Sequence, residues 1–338
     1  MIGNSAALRR AFGALVGISF ALIIACLYAA KHWYETPVDG LAGQTLLVPA
    51  GSTFGELVAT WQRAEQIQTP VLWRLAGKAT GVESRIQAGE YQMPDRATPK
   101  TVLQRLSAGQ GQVSYSVAFI EGWTVREMRK ALREAPHLRH TLAEIAQADL
   151  LAELGFAPGP AEGWFFPDTY TYNRGASDRE VLRRAHEQMR RVLADAWDER
   201  TQGLKLASPY EALILASIVE KETGRGSDRP TIAQVFNRRL QLGMKLQTDP
   251  TVIYGVGADF AGDITYAHLR TDTPYNTYTR FGLPPTPIAL PGKASIEAAL
   301  QPAEGEYLYF VARGDGTSQF SKSLVEHNAA VRRYQLKR

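Results

Sequence analysis

The stretch Leu213-Ile214-Leu215-Ala216-Ser217-Ile218-Val219-Glu220-Lys221-Glu222-Thr223-Gly224 decides how this chain is read. Six of its first seven residues are apolar, so packing draws the helix inside, and the helix then ends on two glutamates. Carboxylates are rarely buried unless something compensates for the lost water. A carboxylic acid in apolar surroundings has a raised pKa, which is what a general acid needs near neutral pH. The helix opens at Ser208-Pro209-Tyr210-Glu211: a cap, a proline at the first helical position and a capping-box glutamate. At about 100° per residue, Glu220 falls beside Leu213, Ala216 and Ser217, and Glu222 beside Leu215 and Ile218, nearly opposite. The helix is apolar almost all round, so periodicity does not choose which glutamate faces a cleft. One can be a buried acid while the other holds an arginine; the alternative is a salt-bridged helix end near Arg225 and Arg229.

Helical periodicity dominates around this segment. It predicts helices over Thr124–Leu132, Leu142–Leu154, Arg179–Arg200, Pro209–Thr223, Asp228–Leu242 (capped by Asp228) and Ser295–Leu300, with Gly224 and Gly243 as stops. Between Gly243 and Gly292 the chain reads as a long loop rich in Pro, Gly, Asn and Tyr. One run there carries Gln247, Asp249, Thr251 and Tyr254; another carries Tyr275, Asn276, Thr277 and Tyr278, followed by the proline-braced Phe281–Ile288. Aromatic faces beside amides and carboxylates suit a sugar cleft, because rings stack on pyranoses and polar groups bind hydroxyls. The end of the chain reads as a β-hairpin, Tyr307–Ala312 and Ser318–Ser321, turning at Arg313-Gly314-Asp315-Gly316.

The beginning is different in kind. Arg9-Arg10 precedes Ala11–Ala30, a run without charge. About 20 residues at about 1.5 Å each cover a bilayer core. Lys31 follows, diluted by Glu35 and Asp39, so the positive-inside rule puts residues 1–10 in the cytoplasm and the body across the membrane. Two rival readings are a cleaved signal peptide and a lipoprotein. The latter rests on Ile23-Ile24-Ala25-Cys26, but the apolar run continues through Ala30, which suits a span better.

Residues 31–43 form a linker. Then Thr45–Leu57 and Ser116–Met128 each read as strand, turn and helix start, and both contain Gly-x-Thr-x-x-Glu. Thr and Glu at that spacing make a capping box, and the glycine supplies the turn. A strand at Gln87–Met93 and a helix at Thr98–Leu106 complete a small α+β unit over residues 44–113, which suggests a LysM-like glycan-binding subdomain. The expected architecture is therefore α+β: a transmembrane helix, the LysM-like subdomain, and a mainly helical catalytic domain over residues 114–338 with its C-terminal hairpin.

Composition bounds the chemistry. The single cysteine, Cys26, excludes an intramolecular disulfide and a cysteine-built zinc site. The net charge of +4, from 38 basic and 34 acidic residues interspersed, gives no argument for nucleic acid. No His-Glu-x-x-His or Gly-x-Ser-x-Gly motif is present, so neither a metal nor a cofactor is expected.

Several segments in order resemble one family. They are Ala216–Thr223, Glu162-Gly163-Trp164-Phe165-Phe166-Pro167-Asp168-Thr169-Tyr170, Val235-Phe236-Asn237-Arg238-Arg239-Leu240, Gly243–Tyr254, Pro274–Tyr278, Gly282–Ile288 and Glu326-His327-Asn328. The chain resembles the endolytic murein transglycosylase family, also called the YceG-like family, over roughly residues 40–335. The resemblance implies a single-pass inner-membrane protein with a periplasmic catalytic domain that cuts nascent peptidoglycan strands internally. It implies that Glu220 is catalytic and that Glu222, Asn237, Gln247, Asp249, Thr251, Tyr254, Tyr275, Asn276, Thr277 and Tyr278 are candidate substrate contacts. Peptidoglycan synthases of the elongation machinery are the implied partners. In the implied reaction the muramic acid C6 hydroxyl closes onto C1, so the second carboxylate of ordinary glycosidases is not needed. A membrane-tethered glycan-binding scaffold and a muramidase-type hydrolase using Glu220 with Asp249 or Glu222 are the alternatives. Family members often carry Gly-x-His-x-Phe near the last hairpin; here Ser318 stands in the histidine's place. His137, His140 and His327 read as structural or surface groups.

Overall fold

The computed structural model describes residues 4–222 and 225–336, so the expected stop at Gly224 lies outside the described residues. α1 (Asn4–Glu35) is a 32-residue helix. From Phe12 it has a mean hydropathy of 2.3 over a window with nothing buried; among the described residues it is the one helix long and apolar enough to cross a membrane. It runs unbroken through the exposed Cys26. The chain divides into two compact units, one running to Tyr115 with Asn173–Gly175 added, the other holding Ser116–Tyr172 and the chain from Ala176 onward.

In the first unit, β1 (Thr45–Val48) buries Leu46 and Val48 on one face. Gly51 turns the chain at φ 81°, and α2 (Phe54–Arg63) starts on a complete capping box in which Thr53 N donates to Glu56 Oε2 at 2.8 Å. α3 (Pro70–Thr80) follows, starting on Pro70 and stopping at the left-handed Gly81. Periodicity did not point to α3 because Val71 and Leu75 stay exposed, while the buried positions are Trp73 and Gly77. A Cβ at Gly77 would lie 2.3 Å from the Phe54 ring, so only glycine lets α3 approach α2 there. β2 (Gly89–Gln92) pairs antiparallel with β1, Leu46 opposite Tyr91. α4 (Pro99–Ala108) closes a core of Phe54, Trp61, Trp73, Tyr91, Val102 and Leu106.

β3 (Ser114–Ala118) pairs with β4 (Thr169–Asn173). Between them α5 (Val125–Glu134) starts on the second capping box, Thr124 N donating to Glu127 Oε2 at 2.7 Å just after Gly122 at φ 78°. The expected helix over Leu142–Leu154 is mostly absent; only a short 3-10 turn and α6 (Leu150–Glu153) form. The Asp178 carboxylate takes the backbone N–H groups of Thr141 and Leu142 at 2.9 and 3.0 Å and the Thr141 hydroxyl at 2.6 Å. Those bonds hold the chain extended where a helix would begin.

α7 (Asp178–Asp198), α8 (Pro209–Glu222), α9 (Arg229–Gln241) and α12 (Lys293–Leu300) build the core of the second unit around α8. Ala212–Val219 of α8 are all buried, as an all-round apolar helix requires. Glu211 Oε2 accepts from Ala207 N at 2.7 Å, one residue before the expected partner. Asp228 precedes α9 but does not cap it; its Oδ2 accepts from Ser318 N at 3.0 Å instead. The region read as loop after Gly243 contains two short helices, α10 (Asp249–Val256) and α11 (Tyr266–Arg270). At eight and five residues, neither is long enough to show a helical period. β5 (Tyr309–Ala312) and β6 (Ser318–Ser321) pair antiparallel, and α13 (Leu324–Tyr334) ends the described chain.

Candidate active site

The last turn of α8 carries Glu220, Lys221 and Glu222 out of the apolar core. The Glu220 side chain is only 5% exposed. Its Oε1 accepts from Arg229 Nη2 at 3.1 Å and its Oε2 from the Gly292 N–H at 2.9 Å. Arg229 stands at the start of α9, and Gly292 caps the N-terminus of α12, where the free backbone amides favour an anion. The same Arg229 Nη2 lies 3.8 Å from Glu121 Oε2. A Cβ at Gly292 would fall 1.9 Å from Glu121 Oε1, so glycine is what allows this close approach. Of the two open possibilities, it is Glu220 that holds an arginine.

Among the described residues, Glu222 has no such partner. Its carboxyl takes the Thr248 hydroxyl, and burial pushes its pKa up to about 7, with Asp249 adding to the rise and Arg239 opposing it. It lines a cleft of about 600 Å³ with Arg239, Gln247, Asp249, Tyr278 and His327. Tyr278 donates to Asp249 Oδ1 at 2.6 Å, and burial raises the Tyr278 pKa. Arg239 gives its Nε to Leu308 O at 2.7 Å and its Nη1 to Leu246 O at 2.8 Å, with its guanidinium 5.1 Å from the Tyr309 ring centre. His327 stacks on the same Tyr309 ring, centroids 5.2 Å apart, and its buried Nδ1 has no hydrogen-bond partner among the described residues. Burial and the Arg239 charge lower its pKa. Ser318 lines the same cleft.

A second cleft of about 610 Å³ opens beside Glu162, Lys221, Pro250, Ile253, Tyr254 and Phe260. Glu162 Oε1 accepts from Val125 N at 2.9 Å and its Oε2 from the Tyr254 hydroxyl at 3.0 Å. Burial outweighs those donors and raises its pKa to about 7. Lys221 lines this cleft while Glu222 lines the other, and Pro250 lines this one while Asp249 lines the other. The last turn of α8 and the first turn of α10 are thus the ridge between two clefts.

The remaining candidate contacts are committed inside the protein. Asn237 Nδ2 donates to Ala233 O and Ala299 O at 3.0 and 3.1 Å, tying α9 to α12. Thr251 and Thr277 share a hydroxyl bond at 2.9 Å, and Thr277 Oγ1 takes Thr248 N at 3.1 Å. Tyr275 bonds Thr286 at 2.9 Å. Asn276 is 1% exposed and holds its own loop: Nδ2 donates to His268 O, Leu269 O and Thr271 O, while Oδ1 accepts from Tyr278 N and Thr279 N. The sequence points to Arg229 only as a partner at a salt-bridged helix end, and to no role for Glu162 or Arg239. A usable signal existed for Glu162, a carboxylate heading the aromatic run Trp164-Phe165-Phe166. For the arginines, surface and buried cations look alike in a sequence.

Comparison with known proteins gives one consistent result. The chain is 29% identical over 326 residues to a Bacillus subtilis protein named endolytic murein transglycosylase, covering 92% of this chain and 90% of the relative. It is 26% identical over 356 residues to a Streptococcus pneumoniae protein of the same name, covering 93% of this chain and 64% of that longer one. A crystal structure of a YceG-like protein from Listeria monocytogenes superposes with a TM-score of 0.54 at 28% identity, covering 85% of this chain and 98% of the other. The YceG-like family matches residues 46–333, a span that contains the charged groups of both clefts, and the chain belongs to that family.

Proposed function

We propose that this protein is a lytic transglycosylase that cuts peptidoglycan glycan strands internally, with Glu220 as acid and then base. The observation that best supports this reading is the confinement of Glu220: a carboxyl 5% exposed, held through both oxygens, in a chain whose relatives are named endolytic murein transglycosylases. Protonated Glu220 gives its proton to the oxygen joining N-acetylmuramic acid to N-acetylglucosamine. The C1–O bond breaks and the N-acetylglucosamine end leaves as an alcohol. The carboxylate then removes the proton of the muramic acid C6 hydroxyl as that oxygen bonds to C1. A 1,6-anhydro end results, no water is consumed, and Glu220 finishes protonated. Arg229 and the Gly292 N–H hold the carboxylate in place between the two proton transfers.

A second reading makes Glu222 the proton donor. It is favoured by a carboxyl that burial keeps near pKa 7 at the wall of an open cleft. Gln247, Asp249 and Tyr278 contact the glycan in either case, and Tyr254 does so from the other cleft. Asn237, Thr251, Tyr275, Asn276 and Thr277 act from behind as the frame that positions these groups. The strand–helix–helix–strand order of the first unit supports its reading as a LysM-like glycan-binding subdomain. α1 is the single-pass inner-membrane anchor, with residues 1–10 cytoplasmic, the catalytic domain periplasmic, and synthases of the elongation machinery as partners.

Mass analysis of products from purified peptidoglycan, using the detergent-solubilised full chain, tests this. Anhydro ends lost in Glu220→Gln and kept in Glu222→Gln support Glu220; the reverse supports the second reading. Reducing ends, heavier by one water, would overturn the transglycosylase in favour of a hydrolase. Binding without product would overturn both in favour of a scaffold.

A further inference from the structure

The cleft beside Glu162 has a composition that its counterpart lacks. Pro250, Ile253, Tyr254 and Phe260 give it an apolar floor, and two exposed cations, Arg126 and Lys221, stand at its edge. One acidic side chain in the wall, Glu127, is already engaged: its Oε2 takes Thr124 N at 2.7 Å and Thr124 Oγ1 at 2.8 Å. The other, Glu162, points its oxygens at Val125 N and the Tyr254 hydroxyl. Among the described residues Lys221 gives one hydrogen bond, to Gly122 O at 3.2 Å, and its ammonium carries three N–H groups. The cleft therefore offers two exposed cations, with the Glu127 carboxylate beside them, around an apolar, aromatic surface. The cleft on the far side of the ridge is lined instead by Glu222, Asp249, Gln247 and Tyr278, and its arginine, Arg239, is buried and bonded to the carbonyls of Leu308 and Leu246.

From this asymmetry we infer that the Glu162 cleft binds a muramyl residue through its stem, the lactyl-linked acidic peptide, with Arg126 and Lys221 taking the carboxylates. The sugar chain crosses the ridge formed by α8 and α10, so that its unsubstituted portion lies in the Glu222 cleft. Glu162 acts as a positioning residue: it fixes the Tyr254 hydroxyl of α10 to the first amide of α5 and so sets the cleft floor. This inference rests on the proposed substrate class but not on the chemistry performed on it.

The test is a binding measurement with the full chain in detergent. Fluorescently labelled glycan strands with intact stems are compared with strands stripped of stems by an amidase. The wild type binds stem-bearing strands more tightly by about fivefold, the size expected of two partly exposed ion pairs. Arg126→Glu with Lys221→Glu brings the ratio to one or below, while Arg126→Lys keeps it. Equal affinity of the wild type for both strands would overturn the inference, as would an unchanged ratio in the charge-reversed variant. Product analysis is read separately: absence of anhydro ends with the fivefold ratio intact overturns the reaction and leaves the stem site standing.

Discussion

Glu220 and Glu222 stand two residues apart on one helix, yet their surroundings are opposite in kind. Glu220 is met by an arginine at 3.1 Å and a backbone N–H at 2.9 Å. Glu222 is pushed towards its neutral form by low-dielectric packing and a neighbouring aspartate, against the pull of the Thr248 hydroxyl it accepts from. The difference teaches that burial alone does not define a catalytic acid. A buried carboxyl is either gripped by donors through both oxygens or left in low-dielectric packing, according to what the next elements in space bring to it.

The comparison can be broken most directly at the reaction. Glu220→Gln keeps the shape of the side chain and removes its proton chemistry; turnover to anhydro products should fall roughly 10²–10⁴-fold. Glu222→Gln should fall far less, and equal losses would erase the distinction drawn here.

Stability gives the next largest effect. Arg229→Met leaves the 5%-exposed Glu220 without its cation and should cost about 3–5 kcal/mol in denaturant unfolding. A loss under about 1 kcal/mol would mean that solvent reaches Glu220 and that its confinement is illusory. Asn276→Ala, which removes a hub of loop hydrogen bonds, should cost about 2–3 kcal/mol by the same assay.

The sign of the pH dependence separates the two kinds of carboxyl. Glu222 and Glu162 rise from 4.5 unfolded to about 7 folded, so the native state holds protons that the unfolded chain has released. Their penalty is absent below pH 4.5, grows as pH rises through the window, and is complete above about 7. Glu222→Gln should therefore match the wild type near pH 5 and be more stable by about 1–3 kcal/mol near pH 8. A variant no more stable at pH 8 than at pH 5, relative to wild type, would contradict the buried neutral acid. The smallest effect is expected at Ser318, whose backbone N–H already serves Asp228: Ser318→Ala should stay within about 0.5 kcal/mol of wild type.

Much of this protein is legible before any fold is known. The apolar run of α1, the buried α8, and the two capping boxes are local patterns, decided by residues a few positions apart. The same holds for the Gly243 stop, which the structure shows at φ 66°. The acidic pair itself is conspicuous because charge at the end of so apolar a helix is expensive to bury. Elsewhere local pattern misled: Leu142–Leu154 has a helical period but is held open by Asp178, and α10 and α11 are too short to announce themselves.

What the sequence determined by itself was that two carboxyls must leave an apolar core together. Which of them receives a cation was decided by the placement of Arg229 and Gly292, and which is pushed towards its neutral form by low-dielectric packing and by Asp249. Those partners come from distant points in the chain, and electrostatic environment depends on distances in space that no spacing along one helix contains.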